Sequence, residues 1–574
     1  LPMHLGLPTR SVHGLPIIEH AEFGRNVPDE AMPDEDKMNL GKIYHMGKEE
    51  SANLILNRQA MASHTFITGS TGTGKSNAVY HLLDEITKNG QTTFLVVEPA
   101  KGEYKNVFGN CTDVQVFGTN PRETPLLRMN PFAFPENIHI LEHIDRLVEI
   151  FNACWPMYAA MPAVLKDAIE RSYQKVGWDL RNSESEKGVF PTFFDLLDIL
   201  PGVIEESHYS KDTQSDYVGA LCTRVKSLTN GIYGSVLCAE DALTDEALFD
   251  RNVVVDLSRV GSMETKSLLM GILVMKLQEY RMCSSGMNSR LRHVTVLEEA
   301  HNLLRKTSAE QSQEGANLQG KSVEMLANAI AEMRTYGEGF IIADQAPGLL
   351  DMSVIRNTNT KIILRLPDEE DRKLVGKSAA LKEAQIDELS KLPLGVAAVY
   401  QNEWPEAVLC KIEAYPMPEN AVYHKPSKMP HEINAEFVFG QLAVGKELEP
   451  LSISEMEQLK LWLKRHETVL KPEDDRYLER VFAGGELDVA KTRKAVFDFF
   501  GGIGTVVDYC AAAKKSLTPR KEFLEQLQGQ YGLKAAAADW VLNSVISMGM
   551  SLNPDAKAVD NLRTNFEQQG GRVL

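Results

Sequence analysis

At 574 residues the chain is too long for one ordinary domain and reads as about three or four units; 43% hydrophobic and 24% charged residues give the composition of a globular protein. No apolar run reaches membrane-spanning length and no signal-peptide pattern opens the chain, while seven dispersed cysteines without a CxxC pair argue against a zinc site and for reduced core thiols in a cytoplasmic protein. A net charge of −18 argues against a broadly basic surface for nucleic acid, although a channel needs positive charge only locally.

Residues 1–60 hold short strand-like stretches (Lys42–Met46, Asn53–Asn57) among many turn residues. From His64 the pattern changes. His64-Thr-Phe-Ile-Thr68 predicts a strand, a glycine-rich turn follows, and Val79, Leu82, Leu83 and Ile86 fall at i, i+3, i+4 and i+7 of a helix that Gly90 stops. Thr92–Val97 predicts a buried strand, as do Asn252–Leu257, Val294–Leu297, Phe340–Ala343 and Lys361–Leu366; helical stretches such as Met263–Arg281 and Ser322–Tyr336 separate most of them. Continuously apolar strands alternating with helices imply an α/β fold, a mainly parallel sheet covered on both faces, in the RecA-like plan of P-loop enzymes.

Residues 135–250 read as a helical subdomain inserted in a core that spans 61–415. Lys306–Gly320, almost without apolar residues, reads as a mobile loop. Prolines 416, 418, 426 and 430 mark a linker over 416–450, and 451–574 reads as all helical, with a capping box at Ser454 and Glu457 and a helix start at Thr518-Pro519.

Gly69-Ser-Thr-Gly-Thr-Gly74-Lys75-Ser76 fits G-x-x-x-x-G-K-[ST] in full, between the strand and helix that the mechanism requires. Glycines let backbone N–H groups turn toward phosphate oxygens, and the helix start adds its positive dipole end. Gly69, Ser70, Thr71, Gly72, Thr73, Gly74, Lys75, Ser76 and Asn77 are the expected ATP contacts, with Lys75 on the β- and γ-phosphates and Ser76 on Mg²⁺. Downstream, His293-Val-Thr-Val-Leu-Glu298-Glu299 is a strand ending in two carboxylates. Glu298 is expected to support Mg²⁺ and Glu299 to polarise the attacking water; the plainer alternative is a solvated strand end.

These motifs resemble those of the HerA and FtsK superfamily, ring-forming P-loop DNA translocases. The resemblance extends to Glu98-Pro-Ala-Lys-Gly-Glu103-Tyr104, Asn130-Pro131, Leu297-Glu-Glu-Ala-His-Asn302, Glu332-Met-Arg334-Thr-Tyr336-Gly337, Ile342-Ala-Asp-Gln345 and Ile355-Arg356-Asn357 through Arg365, in the family's order over about 40–415. Glu298 and Glu98 stand where the family commonly has aspartate. The family's N-terminal β-barrel is largely missing, and with the numbering opening at Leu1 rather than Met the chain reads as a fragment in which 1–60 is a remnant of, or linker from, that barrel. His301 is expected to support its neighbours rather than ligate a metal.

The resemblance implies an ATPase that moves or unwinds double-stranded DNA as a homo-oligomer, a hexamer by family habit. Arg334, Arg356 and Arg365 are the candidates for a neighbour's catalytic arginine, with Gln345 as γ-phosphate sensor and Glu98 as a further catalytic carboxylate. Arg305, Lys306 and Lys321 flank the polar loop and are candidate DNA phosphate contacts, as is a second basic group at Lys514, Lys515, Arg520 and Lys521; a solvated surface is the alternative for both. The family also implies a nuclease or anti-phage effector partner, so an ATPase scaffold that assembles such an effector competes with the motor. A secretion or conjugation ATPase is a third reading, without a membrane anchor in its favour.

Overall fold

A computed structural model of the chain describes residues 20–28, 32–158, 160–185, 188–239, 242–307, 318–417 and 421–425, and most of 476–573. Its centre is one sheet of eleven strands: β1 (Lys37–His45), β2 (Lys48–Asn57), β3 (Thr65–Thr68), β4 (Thr93–Glu98), β5 (Val114–Gly118), β8 (Asn252–Asp256), β9 (His293–Glu298), β10 (Glu338–Asp344), β11 (Thr360–Ile363), β12 (Val396–Gln401) and β13 (Val408–Ile412). The short hairpin β6 (Trp178–Asp179) and β7 (Glu184–Ser185) stands apart. The spatial order is β2-β1-β13-β12-β11-β3-β10-β9-β4-β8-β5. From β11 to β5 every pairing is parallel; β12, β13, β1 and β2 extend the sheet antiparallel.

The central parallel strands β3, β4, β8, β9, β10 and β11 lack hydropathic alternation because each is buried on both faces, whereas β1 and β2 at the edge are partly exposed. In β4, Leu95 and Val97 enter one apolar layer while Phe94 and Val96 enter the other; in β10, Phe340 and Ile342 oppose Ile341 and Ala343. Helix Lys75–Thr87 covers the second layer with Val79, Leu82, Leu83 and Ile86. Helices Ile140–Cys154 and Met263–Ser284 cover the first, crossing so closely that a Cβ on Gly271 would lie 2.8 Å from Ile150 Cγ2. From Ile140 to Phe249 the described residues are mostly helical, apart from the β6–β7 hairpin and connecting segments.

Several details depart from the sequence expectation. Helix Leu318–Glu332 opens before Gly320, so the polar loop ends earlier; its residues 308–317 lie outside the described ones, as do Ser454 and Glu457. Cys111 is exposed rather than in the core, because it sits in the turn between helix Tyr104–Phe108 and β5. Proline-marked residues 421–425 lie on the core, where Tyr423 N–H donates to Asn106 and His424 N–H to Asn110.

Helices Val489–Phe499, Gly502–Ala513, Pro519–Tyr531, Ala535–Leu552 and Ala556–Gln568 form a separate apolar cluster around Val496, Phe497, Tyr509, Val545 and Phe566. Pro519 opens its helix as expected. Arg520, read as part of a basic patch, is instead paired with Asp539 and lies over the Phe566 ring. Among the described residues no single helix is long and apolar enough to cross a membrane; Val489–Phe499 and Gly502–Ala513 reach that length only as a pair bent by 66°.

Candidate nucleotide site

The parallel strands point their carboxyl ends at one edge of the sheet, and the chemistry collects there. β3 ends at Thr68, the chain turns through Gly69–Gly74, and Lys75 opens the helix. Gly74 takes φ +103°, which L side chains rarely adopt, and a Cβ on Gly69 would lie 2.7 Å from both Leu364 Cβ and Thr73 Oγ1. Ser70 N–H donates to the Arg365 carbonyl (3.0 Å), Thr73 Oγ1 donates to the Ser70 carbonyl (2.7 Å), and Gly395 N–H donates to the Thr73 carbonyl (3.0 Å), so the loop is pinned from the β11 and β12 side. The amides of Thr71, Gly72, Gly74, Lys75 and Ser76 have no acceptor among the described residues. Five unused donors at a helix start are the donor set that phosphate oxygens require, so the loop fits a nucleotide.

Opposite the loop, β9 delivers Glu298 and Glu299. Lys75 Nζ lies 3.2 Å from Glu298 Oε2 and 3.2 Å from Glu299 Oε1. Burial alone would lower the Lys75 pKa, but the two carboxylates raise it above its usual value. Tyr104 donates its hydroxyl to Glu298 Oε1 (2.6 Å), and burial together with Glu298 holds that phenol firmly protonated. Glu299 adopts the left-handed region (φ 46°, ψ 50°), a conformation that costs a non-glycine residue about 1 kcal/mol or more and turns its carboxylate back toward the loop. Gln345, directly after β10, donates to Glu299 and accepts from Thr71 Oγ1 (2.7 Å). One hydrogen-bonded chain thus runs Thr71–Gln345–Glu299–Lys75–Glu298–Tyr104 across the ends of β3, β10, β9 and β4. It exists because β10 lies between the loop strand and the acidic strand, placing Gln345 midway.

Glu98, at the end of β4, accepts the N–H groups of Glu103 (2.8 Å) and Tyr104 (3.1 Å), and so closes the loop 99–103. Burial, reinforced by Asp256 and Glu298, pushes its pKa up to about 7 against those two bonds. It lines the same pocket as Lys75, Ser76, Glu298 and Glu299. Ser76 meets the Tyr80 phenol, whose ring stands edge-on to Tyr104 at 4.9 Å. Asn77 spends its side chain elsewhere: its amide donates to the Glu413 carbonyl (3.0 Å) and its oxygen accepts Tyr415 N–H (2.9 Å). Asn130 is structural too, buried and bonded to the Pro191 carbonyl.

Arg334, Arg356 and Arg365 are all exposed, make no ion pair among the described residues, and do not reach Lys75 or the carboxylates. Arg305, Lys306 and Lys321 are exposed as well, with Lys306 N–H tied to the Leu349 carbonyl. Two residues escaped the sequence reading. Tyr104 was noticed only as part of a motif, and its bond to Glu298 joins residues 194 positions apart. Asp344 ends β10 fully buried, accepting His301 N–H, His301 Nδ1–H (2.9 Å) and Ala346 N–H (2.9 Å). That bond to Asp344 raises the His301 pKa and orients the residues after Glu299. The available signal was a carboxylate closing an apolar strand, the same pattern that marks Glu298.

A family model described as the central domain of the helicase HerA matches residues 38–274. The chain is 23% identical over 436 residues to a probable helicase of Methanocaldococcus jannaschii, covering 69% of this chain and 76% of that protein. It is 26% identical over 391 residues to the DNA double-strand break repair helicase HerA of Sulfolobus acidocaldarius, covering 66% of this chain and 69% of that one. Among solved structures, VirB4 of Thermoanaerobacter pseudethanolicus superposes with a TM-score of 0.51 at 18% identity, over 67% of this chain and 98% of the other, which bears on the fold alone. With a complete phosphate loop facing paired carboxylates on a mainly parallel sheet, and a central region similar to that of HerA, the chain is a P-loop ATPase that resembles HerA.

Proposed function

We propose that the chain works in a ring, a hexamer by family resemblance, that hydrolyses ATP to translocate or unwind double-stranded DNA beside a nuclease or other effector protein. Residues 61–415, with the helical insertion, form the motor unit in this reading, and 451–574 an accessory region. The observation that carries it is an imbalance of charge. Lys75 is the buried cation of the site and is shared by two carboxylates, Lys101 stands at its exposed rim beside Glu103, and Arg334, Arg356 and Arg365 are exposed without an ion pair among the described residues. Transfer of a γ-phosphoryl group needs more positive charge than one shared ammonium, and an arginine fork from a neighbouring copy supplies it. The loop amides and Lys75 would hold the phosphates, and Ser76 and Glu298 would hold Mg²⁺, which would supply further positive charge beside them. Glu299, fixed by Gln345, positions the attacking water.

DNA enters through the relatives, which are named helicases, and through Arg305, Lys306 and Lys321. The test is ATPase rate against duplex concentration at two salt levels, with native mass measured alongside. Stimulation that fades as salt rises, and is reduced in R305A/K306A/K321A, is expected for phosphate contacts. The competing scaffold reading draws on Ile503 and Val507, exposed one turn apart on helix Gly502–Ala513. A flat duplex response at low salt from an assembled ring overturns the motor in favour of that scaffold.

A further inference from the structure

We propose that a second phosphate-binding site, for the backbone of a nucleic-acid strand, lies beside the nucleotide pocket in an open cleft of about 590 Å³. The cleft sits at the carboxyl ends of β4, β8 and β5, and its far wall is residues 422–425. Its floor is already neutral. Lys105 bonds Asp256 (2.7 Å) and Glu123 (2.9 Å), and Arg259 bonds Glu123 (2.7 Å). Above the floor the cations are in excess. Arg122 has no side-chain partner among the described residues, Lys101 reaches Glu103 only at 3.8 Å, and Lys425 Nζ donates to the Pro121 carbonyl (2.6 Å) rather than to a carboxylate. In a chain of net charge −18, such a local excess is where a polyanion binds.

The wall is built in place: Asn110 donates to the Val422 carbonyl (2.9 Å) and Asn106 accepts from Tyr423 N–H (3.0 Å), so the chain leaving the core brings Lys425 over the cleft. The cations come from four separate segments along an open groove, which suits a ligand with repeating phosphates better than a single free phosphate. Ala100 and Lys101 line this cleft and the nucleotide pocket alike, so a strand bound here would touch the loop that Glu98 closes.

This inference rests on the reading of the chain as a DNA-handling ATPase, and the experiment separates the two. Binding of a short fluorescent duplex is measured by anisotropy over a salt series for the full chain and for R122A/K425A, whose two exposed side chains belong to the excess charge and are not in the nucleotide site. The variant is expected to bind about tenfold more weakly at low salt, with the slope of log affinity on log salt shallower by about two, near 0.9 for each lost phosphate contact. An unchanged slope, while R305A/K306A/K321A lowers binding, overturns the cleft and leaves the DNA reading standing. Failure of the unaltered chain to bind the duplex overturns both. Equilibrium dialysis of pyrophosphate provides the remaining arm: pyrophosphate binding lost in the variant with duplex binding intact overturns the nucleic-acid assignment in favour of a free phosphate.

Discussion

Strands β9 and β10 carry a buried cation between carboxylates at each end, and the two clusters differ in how completely their atoms are used. At the amino ends, Glu338 accepts from His293 Nδ1–H (2.7 Å) and Thr295 Oγ1 (2.8 Å) on one oxygen and from Arg281 Nε (2.9 Å) on the other. Arg281 also bonds Asp250 (2.7 Å) and the Phe249 carbonyl, and is fully buried. Burial alone would raise the Glu338 pKa, but His293 and Arg281 hold it well below the usual carboxylate range. At the carboxyl ends, Lys75 stands at 3.2 Å from each of two carboxylates, beside loop amides without acceptors and a glutamate in left-handed backbone. In the first, both Glu338 oxygens are filled by short bonds, although His293 Nε2 is left without a partner among the described residues; the second keeps donors in reserve. A buried ion pair of the first kind fixes strand register, and one of the second kind can exchange a carboxylate for a phosphate.

Removing the cation at each end gives the largest contrast. Arg281→Leu strands Glu338 as an uncompensated buried charge and is expected to cost about 3–5 kcal/mol of stability, read as a lowered thermal midpoint and poor recovery of soluble protein. Lys75→Ala is expected to lose less stability, because its carboxylates border the pocket and keep the donors Tyr104 and Gln345, yet to lower ATP turnover by about a hundredfold or more. If Lys75→Ala melts as early as Arg281→Leu, the two clusters are equivalent and the distinction fails.

A smaller change sharpens the same contrast. Glu299→Gln keeps the shape and removes the charge that polarises water, so hydrolysis should fall by about 10²–10⁴ while a fluorescent ATP analogue still binds. Glu338→Gln at the opposite end should lower the thermal midpoint and leave turnover per folded molecule nearly unchanged. Full hydrolysis by Glu299→Gln would remove it from the catalytic role.

What the sequence makes legible follows the same division. The loop, the helix after it and the acidic strand end are contiguous, so spacing alone places Lys75, Ser76, Glu298 and Glu299, and the apolar runs place their strands within a few residues. The links between them are not contiguous. Tyr104–Glu298, Gln345–Thr71 and His301–Asp344 depend on strand order, which no local pattern encodes. Asn77 looks like a nucleotide contact by position, and only the packing of Glu413 and Tyr415 reveals that its side chain is engaged. The arginines are the opposite case: Arg334, Arg356 and Arg365 are legible by motif, but among the described residues of one copy their side chains form no ion pair that would distinguish catalysis from a solvated surface.

The mildest test concerns Glu98, which lies between the two kinds of cluster, buried like Glu338 but lining the pocket like Glu299. Its pKa in the folded chain is raised to about 7 from an ordinary 4.5, because burial and the nearby Asp256 and Glu298 outweigh two backbone bonds. A carboxyl that holds its proton more tightly when folded stabilises the fold below pH 4.5 and loses that contribution as pH rises to 7, in total no more than about 3 kcal/mol. His64 works in the other direction. Burial lowers its folded pKa from 6.5 to about 4, so the fold gains stability as pH rises from 4 to 6.5. Between pH 4.5 and 6.5 the two contributions oppose each other, and above 6.5 only that of Glu98 remains. Thermal midpoints across this range should therefore rise more steeply with pH in Glu98→Gln than in the unaltered chain. The comparison is of slopes, since the amide loses one backbone bond and about 1 kcal/mol at every pH. Parallel slopes would mean that Glu98 is ionised in the fold throughout, with both oxygens satisfied by Glu103 and Tyr104. It would then belong with Glu338 as a structural carboxylate rather than with Glu299.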